Sequence, residues 1–496
     1  MTRKKHPAAT RRASSPLQDS LDRYERLLSP SDFSLLLEEL KKPLKSAIRL
    51  NPFKTYEGDL DEWKQRYTWS LKTVPFCSRG YQVEEAGTLP SQTIEHRMGN
   101  FYIQDAASML PAELFDFPAT KPPIILDLAA SPGGKTTHLV DRILDRGVVI
   151  ANDSSPDRLT ALRIVLQTWS TSSCAVTCFQ GERFGGWFPE TFDAILLDAP
   201  CSMDGLRATE AHPLRPITNK ERAGLARRQL ALLRSALQAV RVGGEVVYST
   251  CTLAPEEDEG VLDQLLKEYP HAMDIESLQA QLTRPAPGLE KDEVTVYNPR
   301  VRASARLWPH LFGTAGFFAA KIRKTESITS SRTDPPSRPL SRTGFAILKA
   351  DKSQEICFLM MEDYGFDLQR WLTDQNLELW QYGNQVLALH SLFLQNFPEL
   401  PVRYLGLTIG EMTEPGFDPS HDLCTRFGRQ FNHGVVMIPE EEIMAWVKGN
   451  DLRPVPTNGT KIGKVIVIRD SRGHFLGCGR IQRDRVKNLL PRRAIL

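Results

Sequence analysis

IILDLAASPGGKTT, residues 124–137, reads as a short apolar strand ending at Asp127, a Ser-Pro-Gly-Gly break, and the start of a helix at Lys135-Thr136-Thr137. Strand, glycine turn and helix in that order build a cradle for a phosphate or a nucleotide. Glycine lets the backbone approach a ligand closely, and the first helical turn offers N–H groups without intrahelical partners. Two cofactors fit such a loop, ATP and S-adenosylmethionine.

Outward from this stretch the chain alternates. VVIAND (Val148–Asp153), AVTCFQG (Ala175–Gly181), FDAILLDAPC (Phe192–Cys201) and EVVYSTCT (Glu245–Thr252) read as buried strands. Helical spacing predicts helices over Pro156–Trp169, Arg222–Arg241 and Glu256–Tyr269, the last with acidic residues in its first turn. Near-continuous apolar strands separated by helices imply an α/β fold, a doubly wound Rossmann-like parallel sheet covered on both faces. A strand pair within Thr295–Lys324, ending in GFFAAKI, completes a catalytic domain over 111–325.

Before it, residues 1–18 form a disordered basic tail and 19–110 an α+β subdomain. That subdomain holds one or two helices over Leu21–Leu40, a strand at Ala47–Lys54 whose alternation turns Arg49 and Asn51 outward, and a core of Trp63, Tyr67 and Trp69. After it, the Ser/Thr/Pro-rich Thr325–Thr343 marks a linker at 326–343. Strand-like runs at Ile356–Met361, Glu378–Gln381, Val386–Leu389 and Val465–Ile468 then give a small α+β module at 344–400 and a second module at 401–496.

A net charge of +2 does not by itself announce a nucleic-acid partner, but basic residues crowd both ends: Arg3, Lys4, Lys5, Arg11 and Arg12, then Arg480, Arg483, Arg485, Lys487, Arg492 and Arg493. Basic ends suit RNA contact, and equally a solvated tail. Eight cysteines without a Cys-x-x-Cys or Cys/His spacing argue against a metal centre and for free thiols in a reducing cytoplasm. No apolar run is long enough for a membrane span, and the N-terminus has no signal-peptide core.

The P-loop reading takes Gly134-Lys135-Thr136 as its core, with Ala129 where its first glycine belongs, and AILLDAP as the strand bearing a magnesium-binding Asp. Asp127 ahead of the loop would repel a triphosphate, however, and Asp153 ends the second strand where a carboxylate accepts ribose hydroxyls. An adenosyl cofactor carrying a sulfonium and an amino acid suits both carboxylates.

DAPCS (Asp198–Ser202) and STCT (Ser249–Thr252) each follow a buried strand, so Cys201 and Cys251 belong at the carboxyl edge where ligands bind such sheets. On neighbouring strands, about 4.8 Å apart, both thiols reach one substrate atom. Buried cysteines are also ordinary small hydrophobes. Paired thiols beside a methyl donor point to methylation of an unreactive carbon such as pyrimidine C5, where thiolate addition to C6 makes C5 nucleophilic. Asp198 is placed to contact the ring, through a protonated carboxyl or by accepting from the exocyclic amine of cytosine.

FYIQDAASMLP, DLAASPGGKT, ILLDAPCS, YSTCTLAPEEDE and RLWPHLFGTAGFFAAKIRK, in this order, resemble the motifs of the RNA cytosine-5 methyltransferases of the Nol1/Nop2/Sun type. Within that family the chain resembles bacterial members acting on small-subunit ribosomal RNA, and the similarity runs on to RVKNLLPRRAIL. The resemblance implies S-adenosylmethionine as cofactor, Cys251 as the nucleophile, and Cys201 as an aid to product release; the residues alone do not choose between the two thiols. It implies Lys135 and Asp198 near the target base. Around the cofactor it places Ala129, Ala130, Ser131, Pro132, Gly133, Gly134, Lys135, Asp153 and Asp198, with Gln180 where the family usually has an Asp at the adenine. Ser131 and Met203-Asp204-Gly205 depart from the family pattern, and the basic pair expected after them is reduced to Arg207. The resemblance further implies an RNA-contacting N-terminal subdomain that includes Arg49 and Asn51, a PUA-like RNA-binding module at 401–496, and a cytoplasmic monomer. The expected activity is cytosine-5 methylation of ribosomal RNA. The alternatives are another rRNA or tRNA cytosine, and a non-catalytic RNA-binding factor in ribosome assembly.

Overall fold

The computed structural model describes residues 16–207, 215–339, 342–414, 416–453 and 462–496. The basic residues expected in the N-terminal tail fall outside them. Helices Pro16–Tyr24 and Pro30–Leu40 lead into a four-stranded sheet, with order β2-β3-β1-β4, of β1 (Ala47–Leu50), β2 (Trp69–Val74), β3 (Cys77–Ala86) and β4 (Phe101–Gln104). Trp63 and Trp69 are buried against Phe101, as the aromatic cluster predicts.

The catalytic domain follows with β5 (Ile124–Asp127), β6 (Val148–Asn152), β7 (Cys174–Thr177), β8 (Phe192–Asp198), β9 (Val240–Thr250), β10 (Met273–Glu276), β11 (Ala305–Leu307) and β12 (Phe317–Lys324). β5 pairs in parallel with both β6 and β8, and β8 in parallel with β9. The chain therefore winds to one side of β5 and then to the other. Along β5, β6 and β8 successive residues face opposite ways: Leu126, Ile150 and Ile195 enter one core, Ile125, Val149 and Leu196 the other. This is the doubly wound sheet that the apolar runs predict.

The remainder contributes β13 (Phe345–Ile347), β14 (Leu377–Tyr382), β15 (Gln385–His390), β16 (Tyr404–Leu405), β17 (Leu407–Thr413), β18 (Gly416–Pro419), β19 (Val435–Met437), β20 (Val465–Arg469), β21 (Phe475–Ile481) and β22 (Val486–Asn488). β13, β14, β15, β17 and β18 form a five-stranded sheet that runs through residue 400, and β19–β22 a four-stranded one. β16 instead adds antiparallel to β7, at the edge of the catalytic sheet. The linker has no regular secondary structure from Ser327 to Pro339, and Thr333 donates its N–H to the Gly186 carbonyl. No helix among the described residues is long and apolar enough to cross a membrane.

Two expectations are corrected here. Ile356–Met361 is not a strand but part of the helix Ala350–Tyr364, which Gly365 ends in the left-handed conformation. Arg49 and Asn51 do not face outward; both are fully buried. β1 is a central strand, flanked by β3 and β4, with all four of its residues covered. The Arg49 guanidinium pairs with Asp141, lies over the Trp169 ring, and donates to the Gly134 carbonyl (3.0 Å) and the Thr137 hydroxyl (2.7 Å). Asn51 donates to the Gly99 and Trp169 carbonyls. These side chains dock the N-terminal sheet onto the catalytic domain.

The C-terminal part is docked by buried cations as well. Lys54 donates to the carbonyls of Met98 (2.9 Å) and Thr168 (2.8 Å) and to the Thr425 hydroxyl (2.9 Å), and burial pulls its pKa down to about 7. Arg426 donates to Asp145 (2.5 Å) and to the Ser170 carbonyl (2.6 Å).

Removing one member of a buried ion pair strands the other charge. Arg49→Met should therefore lower the unfolding free energy by about 3–5 kcal/mol in a urea titration. A surface RNA contact would instead lose RNA affinity with stability unchanged.

Candidate active site

The carboxyl ends of β5 and β8 meet where the winding direction reverses, the position at which open α/β sheets bind ligands. A crevice opens there, lined by Asp127, Ala129–Pro132, Gly134, Lys135 and Asp198 from the catalytic domain and by Tyr102, Gln104 and Ser108 from the segment before it.

After Asp127 the chain turns through the loop into the helix Gly134–Ile143. Gly133 holds φ +113, and a Cβ at Gly134 would lie 2.7 Å from the Tyr102 ring, so neither position accepts a side chain without strain. The loop is pinned to the end of β6: Ser131 N–H donates to Asp153 (3.2 Å), and Arg158 donates to the Ser131 carbonyl (2.5 Å). Asp153 is buried and also accepts from Ser155 N–H (2.9 Å). The two carboxylate oxygens have about four lone-pair directions between them, which leaves acceptor capacity for a ligand's hydroxyls.

Lys135, mostly buried, donates to Asp198 at 2.8 Å and lies 5.5 Å from the centre of the Phe317 ring. Burial pulls its pKa down, but Asp198, Cys251 and Asp127 outweigh that and hold it above the ordinary lysine value. Asp198 also accepts from the Ser249 hydroxyl (2.9 Å). Asp127 accepts from the Thr136 hydroxyl (2.7 Å) through one oxygen, while its other oxygen is buried without a partner. Burial, reinforced by the charge on Asp198, pushes its carboxyl up to about 7 against the opposing pull of Thr136 and Lys135. With two carboxyl groups on this wall and its lysine already paired to one of them, the crevice is built against a triphosphate.

β8 and β9 pair with Asp198 opposite Ser249. Three residues beyond Asp198 and two beyond Ser249, the thiols of Cys201 and Cys251 stand 3.1 Å apart. Cys251 is exposed and Cys201 only partly so. The hydrogen bond to Cys251, followed by burial, raises the Cys201 pKa well above the ordinary thiol value, so Cys201 keeps its proton.

Beneath the thiols lies a buried ionic network. Glu257, fully buried, accepts from Ser202 N–H (2.9 Å) and from Gln229 (3.0 Å), and Gln229 also donates to the Pro200 carbonyl. Asp258 accepts from the Thr250 hydroxyl (2.6 Å), and Arg306 joins Asp258, Glu259 and the Leu253 carbonyl (2.7 Å). The helix predicted from Glu256 starts only at Glu259, because Glu257 and Asp258 turn inward to brace the two cysteine loops.

Lys135, Asp198, Cys201, Cys251 and the loop Ala129–Gly134 are thus brought together, with Asp153 at the far end of the loop. Gln180 sits exposed after β7 and is not among the residues that line the crevice. Met203 and Leu206 have positive φ (59° and 64°), and Asp204 between them is buried against Ser20 and Arg222. Arg207 is tied to Glu39 and to the Lys42 carbonyl. Sequence reasoning missed Tyr102 and Gln104 as crevice residues, although they lie in the quoted string FYIQDAASMLP.

The sulfur, oxygen and nitrogen of Cys77, Glu113 and His138 also cluster within 4.8 Å. His138 Nε2 is 3.0 Å from Glu113, and His138 Nδ1 is buried without a partner. A metal-ligating imidazole normally has that second nitrogen braced.

Two family models match the chain: the 16S rRNA methyltransferase RsmB/F over residues 118–323, and the N-terminal domain of 16S rRNA methyltransferase RsmF over residues 18–106. A ribosomal RNA small subunit methyltransferase F of Aeromonas salmonicida is 32% identical over 485 residues, 97% of each chain. One of Erwinia tasmaniensis is 30% identical over 479 residues, 96% of each. Among solved structures, a methyltransferase homolog protein from Pyrococcus horikoshii aligns with TM-score 0.52 and 29% identity over 63% of this chain and 99% of its own. NSun6 from the same organism, solved with SFG, shares the fold at TM-score 0.52 and 22% identity, over 62% of this chain and 98% of its own.

The raised Asp127 pKa makes a pH prediction. An unfolded Asp titrates near 3.9, so ionising the folded carboxyl costs stability progressively as pH rises from about 4 to about 7, with the cost complete above that. In calorimetry Asp127→Asn should be more heat-stable than the wild type at pH about 8, and the gap should narrow as pH is lowered towards about 5. A gap independent of pH would mean that the carboxyl titrates normally.

Proposed function

We propose the following reaction for this chain, which belongs to the RsmB/F family of 16S rRNA methyltransferases: transfer of a methyl group from S-adenosylmethionine to C5 of a cytosine in small-subunit ribosomal RNA, through covalent catalysis by Cys251. The observation that carries this reading is the pair of thiols 3.1 Å apart at the ends of two neighbouring parallel strands, beside the crevice.

The residues present fit the cofactor. Asp153 has acceptor capacity for the ribose hydroxyls, and the unpartnered buried oxygen of Asp127 suits the ammonium of the amino-acid part. When bound, S-adenosylmethionine supplies an electrophilic methyl on a sulfonium.

The chemistry of the chain's own residues lies at the target base. A base in RNA must leave its stack to reach such a site. Cys251, the exposed thiol, adds as thiolate to C6, which places electron density on C5. Asp198, held by Lys135 and Ser249, accepts from the exocyclic amine and so favours cytosine over uracil, while Lys135 contacts the same ring. Loss of the C5 proton then breaks the C6–S bond and frees Cys251. Cys201, whose sulfur lies 3.1 Å from that of Cys251, is assigned to that release. The N-terminal subdomain and the C-terminal modules, the latter PUA-like in this reading, hold the flanking RNA, and the enzyme works as a cytoplasmic monomer.

In a deletion strain, complementation with the wild-type chain should restore a 5-methylcytosine in small-subunit rRNA by bisulfite sequencing. Complementation with Cys251→Ala should not, although the purified variant still binds S-adenosylhomocysteine. Methylation by that variant would remove Cys251 from the mechanism. Cys201→Ala should instead accumulate a covalent protein–RNA adduct, visible as a shifted band in a denaturing gel; turnover without any adduct would take the release role from Cys201.

A further inference from the structure

We propose that Gln104, from the N-terminal sheet, binds the α-carboxylate of the cofactor, so that the cofactor site is completed by a residue outside the catalytic domain. The inference rests on the reading above that the cofactor is S-adenosylmethionine. Gln104 is the last residue of β4, and it lines the crevice together with the loop and Lys135. Its amide nitrogen is buried and has no hydrogen-bond partner. A buried N–H without an acceptor is costly, and a ligand that supplies the acceptor recovers the cost.

Beside Gln104 the start of a helix favours one negative group. The Gln104 amide packs beside Gly134, with its oxygen 3.2 Å from where a Gly134 Cβ would stand, and Gly134 opens a ten-residue helix. The unpaired N–H groups of that first turn and the positive end of the helix dipole favour negative charge. The second orphan in the same crevice has the opposite sense. Asp127, only 1% exposed, presents an oxygen with no donor. One unsatisfied donor near a helix N-terminus and one unsatisfied carboxylate oxygen match the two ends of a zwitterionic amino acid. A pyrimidine ring offers no anion, so the amino-acid part of the cofactor is the better occupant.

Arg49 gives the arrangement its stiffness. It spans from β1, the strand paired with β4, to the Gly134 carbonyl, and so holds Gln104 and the loop helix in one frame.

The test is isothermal calorimetry on the full-length protein with two probes, S-adenosylhomocysteine and its decarboxylated analogue, which keeps the adenosine and the amine but lacks the carboxylate. Gln104→Leu should weaken S-adenosylhomocysteine about tenfold or more and leave the decarboxylated analogue within about twofold. Gln104→Glu, which sets a carboxylate against a carboxylate, should weaken S-adenosylhomocysteine further while sparing or improving the analogue. Equal losses for both probes, or no loss for either, would overturn the role of Gln104. Failure of the wild-type protein to bind S-adenosylhomocysteine would overturn the cofactor reading itself, and this inference with it.

Discussion

The parallel register of β8 against β9 is the constraint on which the site depends. With Asp198 opposite Ser249, the Ser249 hydroxyl steadies the carboxylate, and the loops leaving both strands carry Cys201 and Cys251 to within 3.1 Å of each other. A slip of one residue would turn every side chain of a strand to the opposite face and part the thiols from the crevice. The register is held from both sides of the sheet, because β8 and β9 bury alternating residues in two separate cores. It is held again below the thiols by Glu257, Asp258 and Arg306.

Charge is buried both in the crevice and beneath it. Under the cysteines three consecutive acids are taken out of water and met by Arg306, Gln229, backbone N–H groups and the Thr250 hydroxyl, with one Glu257 oxygen left without a hydrogen-bond donor. In the crevice the balance is left incomplete. Lys135 serves Asp198, and Asp127 keeps one oxygen without a donor. A buried group without a partner is a cost to folding that a bound ligand can repay.

Much of this is legible in the residues. The alternation from Ile124 to Lys324 gives the sheet, since strands buried on both faces read as continuous apolar runs. The cysteine pair is legible for the same reason: each thiol follows such a run. What the chain conceals is mostly burial of polar groups. Alternation in AIRLNPFK says which residues share a face, but not that a central strand has both faces covered, and so Arg49 and Asn51 read as exposed. ICFLMM at Ile356–Met361 has no period to separate strand from helix, and only Gly365 after it marks a helical end. Glu257 and Asp258 look like the acidic first turn of a helix until Arg306, far along the chain, is seen to neutralise their neighbourhood. Gln104 stands in a quoted motif, yet its part depends on packing beside Gly134, which spacing does not encode.

β16 is only two residues long, but Arg403 and Gly406 on either side of it also donate N–H groups to the carbonyls of Val176 and Cys174 on β7. An uncovered outer strand is a template on which other chains can pair and aggregate. Here the C-terminal half of the polypeptide supplies the cover for the catalytic half. Cutting the chain after the linker would leave the outer edge of β7 uncovered. The appended strand thus closes an edge that would otherwise be open to pairing with other chains.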